Sequence, residues 1–283
     1  MIFYNTENIY TTKLQKKIVA NFSQQASRYD IYSQVQHEAA NQLAVYLSSW
    51  GENLIEGPLI EIGCGTGLMT IQVVTRFQER QMIISDISDK MLTCCQSQIK
   101  DKLGFIPNHI QFSLIDGETF EQKETYALII SSFALQWIFE LKSVIIRILN
   151  SLKKKGVFIF SLPTRDSFPE WKEMCSKVGV PFTGNLLPEP EIFQYCAILH
   201  NYPYTIHESK ITCTYPSAIQ FFKSIKGIGA ATSMYGTNLS GVQLRRLLRY
   251  WDEQYPNGIS ITYNLIYGQI TKEPLDDVAE SRS

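Results

Sequence analysis

The chain has 283 residues, with 26 basic and 27 acidic side chains and a formal net charge of −1. That length suits two domains, or one large α/β domain with insertions, at ~150 residues per domain. An apolar share of 45% supports a buried core, and the balanced charge argues against nucleic acid as the main partner while leaving room for local basic patches.

No apolar run approaches the ~20 residues that span a bilayer. The N-terminal stretch lacks the charged start and apolar run of a signal peptide. The six cysteines, Cys64, Cys94, Cys95, Cys175, Cys196 and Cys213, contain no CxxC pair. A cytoplasmic protein with reduced thiols, no membrane association and no nucleic-acid partner is therefore expected.

Two helices are expected first, about 12–27 and 33–50. From 58 to 163 apolar strand-sized runs alternate with amphipathic segments. Leu59–Ile62 is followed by a helix at 68–77, and Met82–Ser85 by a helix capped by Ser88. Ile110–Leu114 and Tyr126–Ser131 are further strands. Leu141, Val144, Ile145, Ile148, Leu149 and Leu152 form one helical stripe. The three lysines at 153–155 and Gly156 read as the end of that helix, with glycine at the left-handed stop, before a strand at 157–162. Later come helices at 169–178, 188–199, 216–227 and 239–254, and strands at 204–215 and 261–271. The pattern predicts an α/β fold with a doubly wound, mainly parallel seven-stranded sheet. Helical additions fall at the N-terminus and between the last strands. One domain over 1–273 and a flexible acidic tail at 274–283 are expected.

The sharpest local feature is the strand that runs through Glu61 into Gly63, Cys64, Gly65 and Gly67, with a helix directly after. Glycine lets the backbone turn tightly and lets a ligand approach without a Cβ in the way. Asp86, followed by Ile87, ends the next strand, where an ionised carboxylate suits the two hydroxyls of a ribose. A dinucleotide fingerprint needs glycine at the position of Leu68, and a phosphate loop needs a lysine, which is missing between Gly57 and Arg76. The loop therefore suits an adenosyl ligand without pyrophosphate, and Glu61 suits a ligand amine. Cys64 reads as a small filler. These residues, with Asp116 and Gly117 after the third strand, resemble motif I and the following acidic positions of the class I S-adenosylmethionine methyltransferases, whose fold is Rossmann-like. That resemblance implies S-adenosyl-L-methionine as cofactor.

A closer resemblance covers almost the whole chain. Phe22 through Ala26 to Tyr29, Ala134 with Gln136 and Trp137, Ser167 to Glu170, Phe222 through Lys226 and Gly229 to Ala230, and Thr262 with Tyr263 look like the corresponding stretches of malonyl-acyl-carrier-protein O-methyltransferases of biotin synthesis. The resemblance implies methylation of the free carboxylate of a malonyl thioester on acyl carrier protein, or on coenzyme A. It implies Tyr29 at the cofactor, and Phe22, Gln136, Trp137 and Tyr263 at the lid or pocket. A malonyl carboxylate is already ionised, with a pKa near ~4 or lower, so no general base is required.

Candidate cations for that carboxylate are Lys226, Lys223 and Arg165, each also readable as a solvated surface charge. Arg245, Arg246 and Arg249 make a basic stripe that fits either an ordinary amphipathic helix or a landing face for an acidic carrier. The four histidines form no metal-binding pattern, so no metal is expected. The many aromatic residues, among them Phe22, Tyr29, Phe221, Phe222, Tyr235, Trp251 and Tyr263, are expected to roof the carboxyl edge of the sheet. Two rival readings stay open: transfer to another small carboxylic acid or metabolite oxygen, and a cofactor-binding regulatory protein without transfer.

Overall fold

A computed structural model describes residues 6–50, 54–234 and 238–273, with side chains from Lys13 onward. Tyr235 and the tail expected at 274–283 lie outside the described residues. Seven strands are found among the described residues: β1 (Leu59–Ile62), β2 (Met82–Asp86), β3 (Ile110–Leu114), β4 (Tyr126–Ser132), β5 (Leu152–Pro163), β6 (Tyr204–Tyr215) and β7 (Ile259–Thr271). They form one sheet in the order β3-β2-β1-β4-β5-β7-β6. The pairs from β3 to β5 are parallel, and β7 runs antiparallel to β5. The strand order reverses between β1 and β4, and ligands of open α/β sheets gather beyond the carboxyl ends at such a switch point.

The helices are α1 (Thr6–Gln25), α2 (Tyr29–Tyr32), α3 (Gln34–Trp50), α4 (Leu68–Arg76), α5 (Asp89–Leu103), α6 (Leu141–Ser151), α7 (Pro169–Val178), α8 (Glu191–Leu199), α9 (Ala218–Gly227) and α10 (Gly241–Gln254). The chain divides into two compact units. A helical unit holds Met1–Gln34, Phe168–Leu186 and Thr212–Thr262, and a sheet unit holds Val35–Ser167, Leu187–Ile211 and Tyr263–Ser283.

In the sheet unit, β4 is buried along Tyr126–Ser131, as a central strand of a parallel sheet must be. The α6 stripe of Leu141, Val144, Ile145, Ile148 and Leu149 is buried against it. Ser88 caps α5 by accepting the N–H of Met91, and Gly104 ends it in the left-handed region. Tyr46 stacks on Trp50 and on His207, with both centroid separations 4.9 Å.

The end of α6 differs from its sequence reading. Leu152 is already extended, and β5 starts at once with the three lysines inside it. The left-handed residue is Lys155, at φ 65°. Gly156 is required for a different reason: a Cβ there would lie 2.9 Å from the Tyr126 carbonyl and 2.8 Å from that of Lys153. Propensity gave way to strand pairing with β4.

The helical unit has its own aromatic core. Phe221 and Trp251 are fully buried, and Trp171 packs edge-on to Phe221 and Phe222 at 5.6 and 5.1 Å. Phe221 and Trp251 are thus interior residues of this unit, a correction to the roof expected of them. α10 starts with a Ser240–Gln243 capping box, and Asp252 of α10 accepts the N–H of Ala218 at 2.7 Å, capping α9.

In the sheet unit, Gly268 of β7 lies opposite Phe160 of β5, whose ring stacks on Phe193 at 4.1 Å. A Cβ on Gly268 would stand 2.1 Å from Phe160 Cζ. Gly268→Ala is expected to destabilise the protein by about 1–3 kcal/mol, the cost of overpacking. Adding Phe160→Leu is expected to recover part of that loss, as read from urea midpoints of the single and double variants.

Candidate functional site

The loop between β1 and α4 is shaped by three left-handed glycines. Gly63, Gly65 and Gly67 have φ values of 77°, 54° and 104°. The N–H groups of Gly63 and Cys64 both donate to the Ser85 carbonyl at 2.9 Å, and Gly67 N–H closes the turn onto the Cys64 carbonyl. A Cβ on Gly63 would lie 2.3 Å from Ala134 Cβ, and one on Gly67 would lie 3.0 Å from Cys95 Sγ. A Cβ on Gly65 would meet nothing within 4 Å. Two glycines thus admit protein, and the middle one faces open space.

Asp86, at the end of β2, is 8% exposed. Its Oδ2 accepts the N–H of Gly65 at 2.9 Å and its Oδ1 that of Ser88 at 2.8 Å. Burial raises its pKa, while the N–H groups of Ser88, Gly65 and Ile87 lower it, leaving a net rise. Glu61, inside β1, is 1% exposed and accepts the Thr70 hydroxyl at 2.6 Å. Burial pushes its carboxyl up to about 7, opposed by the Thr70 bond and assisted by the negative charge of Asp86. Cys64 turns toward Cys95, and burial lifts its thiol well above the usual range, so it fills space and is no nucleophile.

The segment after β4 completes the edge. Phe133 adopts a left-handed backbone at φ 54° and donates its N–H to the Ser161 carbonyl at 2.8 Å. Gln136 donates through Nε2 to the Phe133 carbonyl at 2.8 Å. Its Oε1 is buried without a hydrogen-bond partner among the described residues. Trp137 is half-buried beside it. Asp116 caps a short turn that starts at Gly117, its Oδ1 accepting the N–H of Glu118 at 2.9 Å. Glu118 in turn accepts the N–H of Phe139, tying this turn to the segment after β4. Thr70, Cys95 and Phe133 were not singled out for the site from sequence. Cys95 acts through Thr70, 25 residues away, Phe133 through backbone strain, and Thr70 reaches Glu61 across nine residues.

Arg165, just past β5, is exposed and ion-paired with Glu189. Tyr263 is buried in the sheet unit. In the helical unit, the Phe22–Tyr32 stretch meets the Lys226–Gly229 stretch. A Cβ on Gly227 would lie 2.3 Å from the Tyr32 ring, and Gly229, at φ 77°, stands against the Phe22 backbone. Phe22 and Tyr29 are half-buried there, while Lys223 and Lys226 are exposed and make no ion pair among the described residues.

The donor set fits an adenosyl cofactor that carries positive charge. The loop is open at Gly65, its surroundings supply the buried acids Asp86 and Glu61 and the unpartnered oxygen of Gln136, and the loop itself has no cation for a pyrophosphate. No group of His, Cys, Asp and Glu that could hold a metal occurs among the described residues, and no described helix is long and apolar enough to cross a membrane.

The family described as "Methyltransferase domain" matches residues 59–156. A malonyl-[acyl-carrier protein] O-methyltransferase of Magnetococcus marinus is 27% identical over 267 residues, covering 90% of this chain and 92% of that one. A biotin biosynthesis bifunctional protein of Bordetella avium is 30% identical over 261 residues, covering 91% of this chain and 52% of its own. Among solved structures, the YcgJ protein of Bacillus subtilis superposes with a TM-score of 0.57 at 14% identity, covering 82% of this chain and 99% of that one. A phosphoethanolamine N-methyltransferase of Haemonchus contortus, solved with S-adenosyl-L-methionine, superposes with a TM-score of 0.51 at 16% identity, covering 82% of this chain and 52% of that one.

Asp86→Ala is expected to weaken S-adenosylmethionine binding by about tenfold or more, the scale of a charge-assisted hydrogen bond, in calorimetric titration. Glu61 gives a pH signature. Its folded-state pKa of about 7 lies above the ordinary 4.5. The folded protein therefore holds more protons than the unfolded chain between those values, and stability falls as pH rises through the window. Glu61→Gln is expected to flatten that fall, measured by urea unfolding of the ligand-free protein from pH 5 to 8. Residues 59–156, which hold the glycine loop and its paired acids at the switch-point edge, match the methyltransferase domain family.

Proposed function

We propose that this chain transfers a methyl group from S-adenosylmethionine to the free carboxylate of a malonyl group held as a thioester on acyl carrier protein, an early step of biotin synthesis. The observation that carries the reading is the reach of the similarity. Relatives named for this reaction align over about nine tenths of the chain, well beyond the methyltransferase domain at 59–156. That reach takes in the helical unit, whose glycines at 227 and 229 are required by contacts with Tyr32 and Phe22.

The chemistry agrees with the side chains present. The bound cofactor supplies an electrophilic methyl group on a sulfonium. The acceptor is a carboxylate already ionised at neutral pH, so the protein need hold no proton-abstracting group. Its task is alignment and exclusion of water, worth roughly 7–11 kcal/mol at best. Asp86 fixes the open glycine loop through Gly65 N–H, and the Gln136 oxygen is left to accept from a ligand. Lys226, with a free ammonium on the last turn of α9, is assigned the substrate carboxylate as a point charge, with Lys223 one turn before it. Arg165 is the weaker choice because Glu189 already engages it.

Incubation with S-adenosylmethionine and malonyl carrier protein is expected to add the mass of one methyl group to the carrier. Acetyl carrier protein, which lacks the free carboxylate, is expected to gain nothing. Transfer only to free dicarboxylic acids would overturn the substrate, and binding of the cofactor without transfer to any acceptor would favour a regulatory role. Lys226→Ala is expected to raise KM for the malonyl thioester by about tenfold or more with a smaller change in kcat, as loss of a ground-state ion pair does.

A further inference from the structure

The chain's near-zero charge hides a division. Among the described residues the basic and acidic side chains number 11 and 6 in the helical unit and 14 and 17 in the sheet unit, a net +5 against −3. The arginines of α10 also differ in use from several cations of the sheet unit. In the sheet unit, Arg80 binds the carbonyls of Ile55 and Gly57, Arg147 that of Phe120, and Lys272 pairs with Glu124 while reaching the Leu152 carbonyl. These cations complete backbone groups or pair with acids. In the helical unit, Arg245, Arg246 and Arg249 of α10 are exposed and make no ion pair among the described residues; Arg246 reaches only the Gly179 carbonyl, at 3.5 Å.

At 3.6 residues per turn these three arginines and Val242 share one face of α10, an arc of about 100°. Leu247 and Trp251 bury the opposite face completely, and the Ser240–Gln243 capping box holds the first turn. Val242 is 69% exposed in the middle of the cations. One acid, Glu253, ends the face; the other on this helix, Asp252, is occupied in capping α9. Like charges one turn apart, such as Arg245 and Arg249, destabilise their own helix. An anchored helix with arginines around an exposed aliphatic side chain has the composition of a recognition surface.

We propose that this face of α10 docks the acidic carrier protein that delivers the thioester, each arginine pairing with carboxylates and Val242 making the apolar contact. The inference rests on the functional reading above for the identity of the carrier. A compact acidic protein fits better than a nucleic acid, because the basic face is confined to three arginines on one helix and offers no continuous track for an extended polyanion.

The test compares wild type with the triple variant Arg245→Glu/Arg246→Glu/Arg249→Glu and with its neutral Gln counterpart. KM for malonyl carrier protein is expected to rise by about tenfold or more in the reversed variant and by less in the neutral one, with kcat held within about twofold. Turnover of malonyl-CoA, which presents no protein surface, is expected to stay unchanged. Equal KM values, or an equal loss with malonyl-CoA, overturn the proposal. Binding of unloaded carrier protein, followed by fluorescence anisotropy at low and high ionic strength, separates it from the functional reading. Salt-sensitive binding lost in the reversed variant supports the surface even if no methyl is transferred. Absence of binding, or tighter binding of an RNA oligonucleotide than of the carrier, overturns it.

Discussion

Two backbone N–H groups, those of Gly65 and Ser88, converge on the carboxylate of Asp86. One belongs to the glycine loop after β1 and the other to the start of α5 after β2, so a single buried acid joins the two crossovers that form the carboxyl edge. Without that acid the N–H in the middle of the loop would lose its acceptor. Cβ-free glycine is what lets the N–H face Asp86 while the other side of Gly65 stays open. The position expected at the ribose and the loop-holding position are thus one residue, with lone pairs enough for both tasks.

Beneath the loop, the protein tolerates a second acid in a central strand. Glu61 is nearly solvent-free, and its carboxylate accepts the Thr70 hydroxyl. A buried carboxyl near another costs stability when both are charged. Such a cost is typical of binding sites, where a cationic ligand offsets it. The left-handed Phe133 and the unpartnered Gln136 oxygen on the neighbouring strand end are of the same kind: local strain and unmet polarity at one edge of the sheet.

The helical unit follows a different logic. Its interior is a packed set of aromatic rings around Phe221, Trp171 and Trp251, and its surface carries cations that the interior does not need. Segments from three distant parts of the chain build it. The close fit of Gly227 on Tyr32 and Gly229 on Phe22 explains why small residues follow Lys226.

Most strands and helices were legible from local signals. The α6 stripe, the Ser88 cap and the run from Glu61 to Gly67 are short-range patterns set by backbone sterics and hydrophobic periodicity. Asp86 was legible because strand ends in this fold have known chemistry. What misled was also local: Gly156 looked like a helix stop, but its lack of a Cβ is demanded by the carbonyl of Tyr126, on a strand 30 residues earlier. Likewise Phe221 and Trp251 looked available for a roof and are interior. By itself, then, the sequence determined the element order, the glycine loop with its acids, and the apolar faces, because these depend on residues within a few positions of each other. The tertiary structure alone decided the pairing of Glu61 with Thr70, the partners of Arg165, the meeting of Phe22 with Gly229, and the segregation of charge between the units. Those depend on chain segments brought together by folding, and no local pattern encodes which distant neighbour arrives.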